Sequence, residues 1–224
     1  MDFSSRMVVL LAAMRRQRNG AVADEMRCYG VACGLNYGVS LPTLRSIARA
    51  QTPDHDFARF LFRQDVRELR LAALHIALPD ALTVDDAAFW AEGLSNSEIA
   101  EEAAFALLCR SAVFPCLFDR WIVGDTLFPA YAALMAAARR PSAPVGWCDA
   151  AVDAVVRWAV LVRQGGQPDY AVRLIAQGAV ALLTALGARG GADRQRVLDA
   201  AARGDDIPAL LFVREELAWR LEAL

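Results

Sequence analysis

The chain has 224 residues and not one lysine, so all 24 of its basic residues are arginine, a bias that a GC-rich genome explains as readily as phosphate recognition does. A phosphate-cradling GxxxxGK[ST] loop is thereby excluded. Histidine is nearly absent too. His55 and His75 are too few for most hydrolytic acid–base schemes, and no serine, cysteine or histidine constellation supports a nucleophilic triad. Cys28, Cys33, Cys109, Cys116 and Cys148 are odd in number and contain no CxxC pair, which gives no zinc framework. They read mostly as small buried hydrophobes of a reducing cytoplasm. An excess of positive charge is missing as well: the formal net charge is −2 and the sequence pI about 5.7. Coating nucleic acid through bulk charge is excluded by this balance, but a local basic groove is not.

Long hydrophobic runs are also lacking. Met7–Met14 is too short to span a bilayer, and Arg15, Arg16 and Arg18 follow the apolar segment where a secretory signal would place charge before it. Leu174–Ala188 is uncharged but contains Gln177 and Thr184 and falls short of the ~18 apolar residues of a spanning helix. The expectation is a soluble, cytoplasmic chain with no membrane association.

What is present is helical periodicity over a composition that is 56% hydrophobic, enough for a large core. Asp2–Gln17 places Phe3, Met7, Leu10, Leu11 and Met14 at three- and four-residue steps, with Asn19 or Gly20 closing the helix. Further helices read over Ala21–Cys33, Leu41–Ala50, Asp54–Arg63, Val66–Ala77, Thr83–Gly93, Ser97–Arg110, a segment around Phe118–Val123, Thr126–Arg139, Trp147–Arg163, Pro168–Ala188, Ala192–Arg203 and Ile207–Ala223. Trp121, Trp147, Trp158 and Trp219 occupy positions that suit packing. No stretch alternates well enough to require a sheet, and helix pairs recur near the ~40-residue spacing of HEAT-type repeats. The fold class expected is all-α, an α-α superhelix or curved HEAT/ARM-like repeat solenoid forming one domain over residues 1–224.

One stretch gives the chain an identity. Asn36-Tyr37-Gly38-Val39-Ser40-Leu41-Pro42 reads as an extended loop bending at Gly38 and starting a helix, with Ser40 as N-cap and Pro42 in the first turn. Leu41, Leu44, Ile47 and Ala48 then share a core face, while Arg45 and Arg49, four apart, share a cationic one. Arginines are dense throughout the first 70 residues, including Arg6, Arg15, Arg16, Arg18, Arg59, Arg63, Arg67 and Arg70.

Tyr37, Gly38, Val39, Pro42, Leu44 and Arg45, followed by Glu68, Arg70, Ala72 and Ala73, resemble the DNA alkylation repair family of HEAT-like-repeat proteins over the first half of the chain, as far as about Ala112. In active members a Trp-Asp-x-x-Asp motif begins a helix, and its second aspartate stabilises positive charge on the sugar of an alkylated nucleotide. Residue by residue, Ser97 falls at the tryptophan, Glu98 at the first acid and Glu101 at the catalytic aspartate; only the acid is retained. The resemblance implies Glu101 as the catalytic carboxylate, and Arg45, Arg49, Arg67, Arg70, Trp90 and Glu98 as DNA-binding residues. A carboxylate suits oxocarbenium character developing as a cationic N3- or N7-alkylpurine departs.

The same residues have a structural reading. Ser95-x-x-Glu98 fits a capping box, first-turn glutamates are favoured by the helix dipole, and the crowding of Glu98, Glu101 and Glu102 would raise one pKa. Trp90 suits a core position, and Glu68 and Arg70 suit a tie between repeats. Two functions remain open: a cofactor-independent glycosylase acting on double-stranded DNA, and a noncatalytic relative holding unusual DNA structure or a protein partner. A monomer without metal or cofactor is expected for either.

Overall fold

The computed structural model describes residues 2–28, 34–204 and 206–223. These fold as thirteen α-helices and two short 3-10 turns, with an isolated parallel bridge between Leu35 and Val66 and no strand among the described residues. The chain resolves into two compact units, Met1–Val113 and Phe114–Leu224.

The first unit holds α1 (Phe3–Arg15), α2 (Gly20–Cys28), α3 (Leu41–Arg49), α4 (His55–Phe62), α5 (Arg67–Ile76), α6 (Ala87–Gly93) and α7 (Ser97–Ala106). At its centre α5 packs against α3, α4 and α7, burying Leu69, Leu71, Ala72, Ala73, Leu74 and Ile76, while α1 lies across α3 and α4. Arg6 fastens that crossing, its guanidinium 3.9 Å from the Phe57 ring centroid and 2.5 Å from Asp54. Asp54 is also the N-cap of α4, accepting the Phe57 N–H at 3.0 Å. Those bonds, Arg6 first, hold the Asp54 carboxyl below its ordinary value. Between α4 and α6, Phe62 meets Trp90 at 4.8 Å, and a Cβ on Gly93 would sit 2.0 Å from the Phe62 ring, so the close approach requires glycine.

The second unit holds α8 (Phe114–Ile122), α9 (Leu127–Arg139), α10 (Trp147–Arg163), α11 (Tyr170–Gly187), α12 (Gly191–Ala202) and α13 (Pro208–Glu222). Its core helix is α11, packed against α9, α10, α12 and α13. By length and composition alone α11 would cross a membrane, being 18 residues long against the shorter apolar stretch read from sequence, but 56% of that span is buried inside the protein. Phe118 stacks on Trp147 at 4.0 Å and 20°, joining α8 to the start of α10.

Arginine takes structural roles throughout. Arg157 donates to the carbonyls of Ile122, Val123 and Gly124 at the end of α8, and Arg214 gathers those of Ala201, Ala202, Arg203 and Gly204 at the end of α12. Each guanidinium satisfies carbonyls that a helix leaves unpaired at its C-terminus and meets the negative end of the dipole.

Several boundaries differ from the sequence reading. α1 ends at Arg15 with Arg16 as C-cap, and Asn19 instead opens α2, its side chain accepting the Val22 N–H. The expected helix Ala21–Cys33 is α2 as far as Cys28; residues 29–33 lie outside the described residues. α6 begins at Ala87 and not Thr83, because Thr83 and Asp86 exchange side-chain hydrogen bonds in a turn. α7 stops at Ala106, where Leu107 leaves helical geometry and a 3-10 turn over Leu108–Arg110 follows. Trp219 is 70% exposed, not packed. Among the described cysteines only Cys148 is buried; Cys109 is half-buried and Cys116 exposed.

Candidate nucleic-acid interface

The loop before α3 is built from long-range contacts. Gly38 has φ +69°, and a Cβ there would stand 2.0 Å from the Asn19 carbonyl oxygen, so a positive-φ residue without a side chain is required. Asn36 Oδ1 accepts the Gly38 N–H at 2.7 Å, and Tyr37 O accepts the Asn19 N–H at 2.9 Å. Glu68, fully buried at the start of α5, accepts the N–H groups of Tyr37 and Val39. The acid of the family motif therefore clamps the family loop. Ser40 then caps α3, accepting the Thr43 N–H as its sequence suggests.

A second layer of charge ties α5 to α7. Arg67 is 1% exposed; it donates to both Glu98 oxygens at 2.7 and 2.5 Å, to Glu68 at 3.0 Å and to the Val39 carbonyl at 3.1 Å. It is a buried strut between loop, α5 and α7, with no edge offered to a phosphate. Arg70 is spent similarly on the Gln64 carbonyl, Ser95 and Asp65. Trp90 is 2% exposed, enclosed by Phe62 and Phe89, and lies in the core and not at a groove. Glu98 is the counter-ion of Arg67. The N-cap of α7 is Asn96, whose side chain accepts the Ile99 N–H at 2.9 Å; the capping box expected from Ser95 and Glu98 does not form.

Glu102, one residue after the predicted catalytic acid, is the surprise. It is 2% exposed and receives a bidentate pair from Arg45, at 2.8 Å from Nε and 2.7 Å from Nη2, and a hydrogen bond from His75 Nε2. Burial pushes its carboxyl up, but His75 and Arg45 together outweigh burial and bring it down to about 2. The expectation that crowding raises a pKa among these glutamates is thus reversed at Glu102, whose partners are His75 and Arg45. Sequence spacing could not reveal this triad, since its members lie 57 and 27 residues apart.

Glu101 itself is half-buried on α7, and Phe105, four residues on along the same helix, is 41% exposed with the Arg45 guanidinium 5.0 Å from its centroid. Arg45 and Arg49 line an open concavity of about 590 Å³ with Pro42, Ser46 and Ala50. A neighbouring concavity of about 280 Å³ shares Ser46 and adds Ala13, Arg16, Gln17, Thr43 and Ile47. Among the described residues no acidic one lines either concavity. Arg16 and Arg49 are exposed and make no ion pair among the described residues. Of the predicted DNA-binding residues, then, Arg45 and Arg49 come together on this surface, whereas Arg67, Arg70, Trp90 and Glu98 lie in the supporting framework. Arg16, read from the sequence only as one of the dense N-terminal arginines and not as a DNA-binding residue, joins the surface from the end of α1.

These features define a HEAT-like helical-repeat protein with a basic track on α1 and α3. A family model described as "DNA alkylation repair enzyme" matches residues 10–140, more than half of the chain and beyond the segment in which the resemblance was read. The chain belongs to that family. Among solved structures, one described as "A new family of proteins related to the HEAT-like repeat DNA glycosylases with affinity for branched DNA structures" is similar over 99% of this chain and 96% of that one, with a TM-score of 0.64 and 15% identity, a likeness of fold. Comparison with curated proteins gave no match.

Proposed function

We propose that this protein binds DNA along the Arg16–Arg49–Arg45 track and recognises DNA structure without excising a base. The observation that carries this reading is the pair of adjoining concavities on α1 and α3, which present the guanidinium groups of Arg16 and Arg49, the Nη1 edge of an Arg45 held by Glu102, and the hydroxyls of Thr43 and Ser46, with no acidic residue lining them among the described residues. Arginine and hydroxyl side chains on a shallow surface suit phosphate oxygens, and such contacts position a duplex without reading its sequence. The affinity for branched DNA described for the structurally similar protein agrees with this reading.

Support against excision comes from the rest of the motif. Serine stands at the tryptophan position, Trp90 is buried, and the flanking acids Glu98 and Glu102 are neutralised by Arg67 and by Arg45 with His75. A second reading, alkylpurine excision, draws on Glu101, which is only half-buried at the position of the family's catalytic acid.

The test combines binding and chemistry. Affinity for linear duplex, branched and single-stranded DNA is measured from about 50 to 200 mM salt, where contacts to several phosphates give a steep loss of affinity. Release of 7-methylguanine and 3-methyladenine from methylated duplex is followed for the wild type and Glu101→Gln. Salt-dependent binding with no base release is the expected result. Release that disappears in Glu101→Gln establishes the second reading, and no binding at any salt overturns the first.

A further inference from the structure

We infer that Phe105 is a stacking platform for an unpaired nucleobase, so that the substrate class of the surface is DNA with unstacked bases, at a branch point or in a single strand. This rests on the DNA-binding reading above and adds to it a residue, a contact and a selectivity.

The argument begins with what α7 buries. Ile99, Ala100, Ala103, Ala104 and Ala106 turn inward, and the helix needs no large residue at 105 to pack. Phenylalanine there remains 41% exposed, forgoing part of the stabilisation that full burial of such a side chain returns. A single exposed apolar residue would by itself be unremarkable. What distinguishes Phe105 is the apparatus beside it. Glu102, 2% exposed, fixes the guanidinium of Arg45 by the edge carrying Nε and Nη2, and is itself held by His75, 4% exposed. That guanidinium lies over the Phe105 ring at 5.0 Å, while Nη1 makes no hydrogen bond among the described residues.

A planar cation locked against an exposed ring is a ready-made stacking surface. Every base has a π-face, so stacking is tolerant of sequence, and a guanidinium adds a cation–π contribution. Arg49, one turn beyond Arg45 on α3, lines the same concavity and Arg16 the one that adjoins it at Ser46, so both offer positive charge to the strand's phosphates. A fully paired duplex keeps its bases stacked within the helix and has none to offer, whereas a branch point or single strand does. The ring therefore supplies a preference for interrupted DNA, and the arginines supply general affinity.

The experiment places 2-aminopurine, a fluorescent base quenched by stacking, at an unpaired position of a branched DNA and compares wild type, Phe105→Ala, Phe105→Leu and Phe105→Trp. The side chain is exposed, so thermal unfolding is expected to be near wild type for all four. The expected result is quenching by wild type and Phe105→Trp but not by the alanine or leucine variants. Loss of one base–aromatic stack is worth about 1–3 kcal/mol, so Phe105→Ala weakens binding of branched and single-stranded DNA by roughly 5-fold to 150-fold and leaves linear duplex binding within about 2-fold. Wild-type protein that binds branched DNA with unchanged 2-aminopurine emission, or Phe105→Ala that binds it equally well, overturns the platform while leaving DNA binding intact. Wild-type protein that binds no DNA overturns both.

Discussion

The carboxylate of Glu68 accepts the backbone N–H of Tyr37 and that of Val39, holding a loop 29 to 31 residues upstream. A buried anion here does the work usually done by a strand partner: it satisfies amides that would otherwise be stranded beneath α5. The neighbouring Arg67 balances its charge at 3.0 Å.

Glu68→Ala should therefore do two things at once. Removing one partner of a buried charged network costs about 3–5 kcal/mol, seen as a lower midpoint in urea unfolding. Hydrogen exchange should also show the Tyr37 and Val39 amides losing protection ahead of the α5 core. Equal protection in variant and wild type would mean that the loop is held by something else.

Gly38→Ala tests the other half of the same loop. The residue would be forced to keep φ +69° with its Cβ 2.0 Å from the Asn19 oxygen, so the loop must move away from the start of α2. A cost of at least about 3 kcal/mol is expected, the sum of left-handed strain and displaced backbone. Denaturant titration gives the value directly, and a loss below about 1 kcal/mol would contradict the tight approach.

Stability should fall in acid through Glu102. Its carboxyl titrates at about 2 in the folded protein against 4.5 as a free side chain. The unfolded chain therefore takes up the proton first, and the contribution is intact above about pH 5, declines as pH drops through 4.5 and is exhausted near 2. At 1.36 kcal/mol per pKa unit, the contribution is on the order of 3 kcal/mol. Glu102→Gln should flatten this part of the pH–stability curve, and an unchanged acid slope in that variant would assign the effect to other carboxylates such as Asp54.

For the basic track, Arg49→Ala and Arg16→Ala should each weaken binding to linear and branched DNA alike and reduce the slope of log K against log salt by about 1. Arg67→Ala is expected to behave differently: it leaves Glu68 and Glu98 without their counter-ion and shows first as a loss of folded protein, about 3–5 kcal/mol by urea titration. Retention of full stability in Arg67→Ala, with DNA affinity lost, would return that residue to the interface.

Helix existence was legible because apolar residues recur at helical steps, and Trp147–Arg163 was read with the bounds it has in the structure. The start of α3 was equally legible, since Ser40 and Pro42 specify a helix N-terminus by local chemistry alone. What local chemistry could not specify was choice between neighbours: Asn96 and Ser95 are both good caps, and Arg70 takes the Ser95 hydroxyl. Nor does periodicity distinguish an arginine facing a concavity from one buried against glutamates, because Arg45 and Arg67 both suit an amphipathic helix. Their fates depend on Glu102 and Glu98, which the chain delivers 57 and 31 residues later. Trp219 was misjudged for a related reason: a tryptophan is expected inside, and nothing in its own helix says that no neighbour covers it.

The delayed arrival of those acids also bears on how the chain is made. A ribosome releases α3 and its glycine loop well before Glu68, Arg67's partner Glu98, or Glu102 has left the exit tunnel. Arg6 and the Tyr37–Val39 loop meet Asp54 and Glu68 early, but Arg45 and Arg67 emerge without Glu102 and Glu98, and only when α7 follows do α3 and α5 find the charges that lock those two side chains. Synthesis that stalls between α3 and α7 would leave an unclosed segment for chaperones to hold, so the order of translation, and not only the final set of contacts, decides when this unit becomes a folded one.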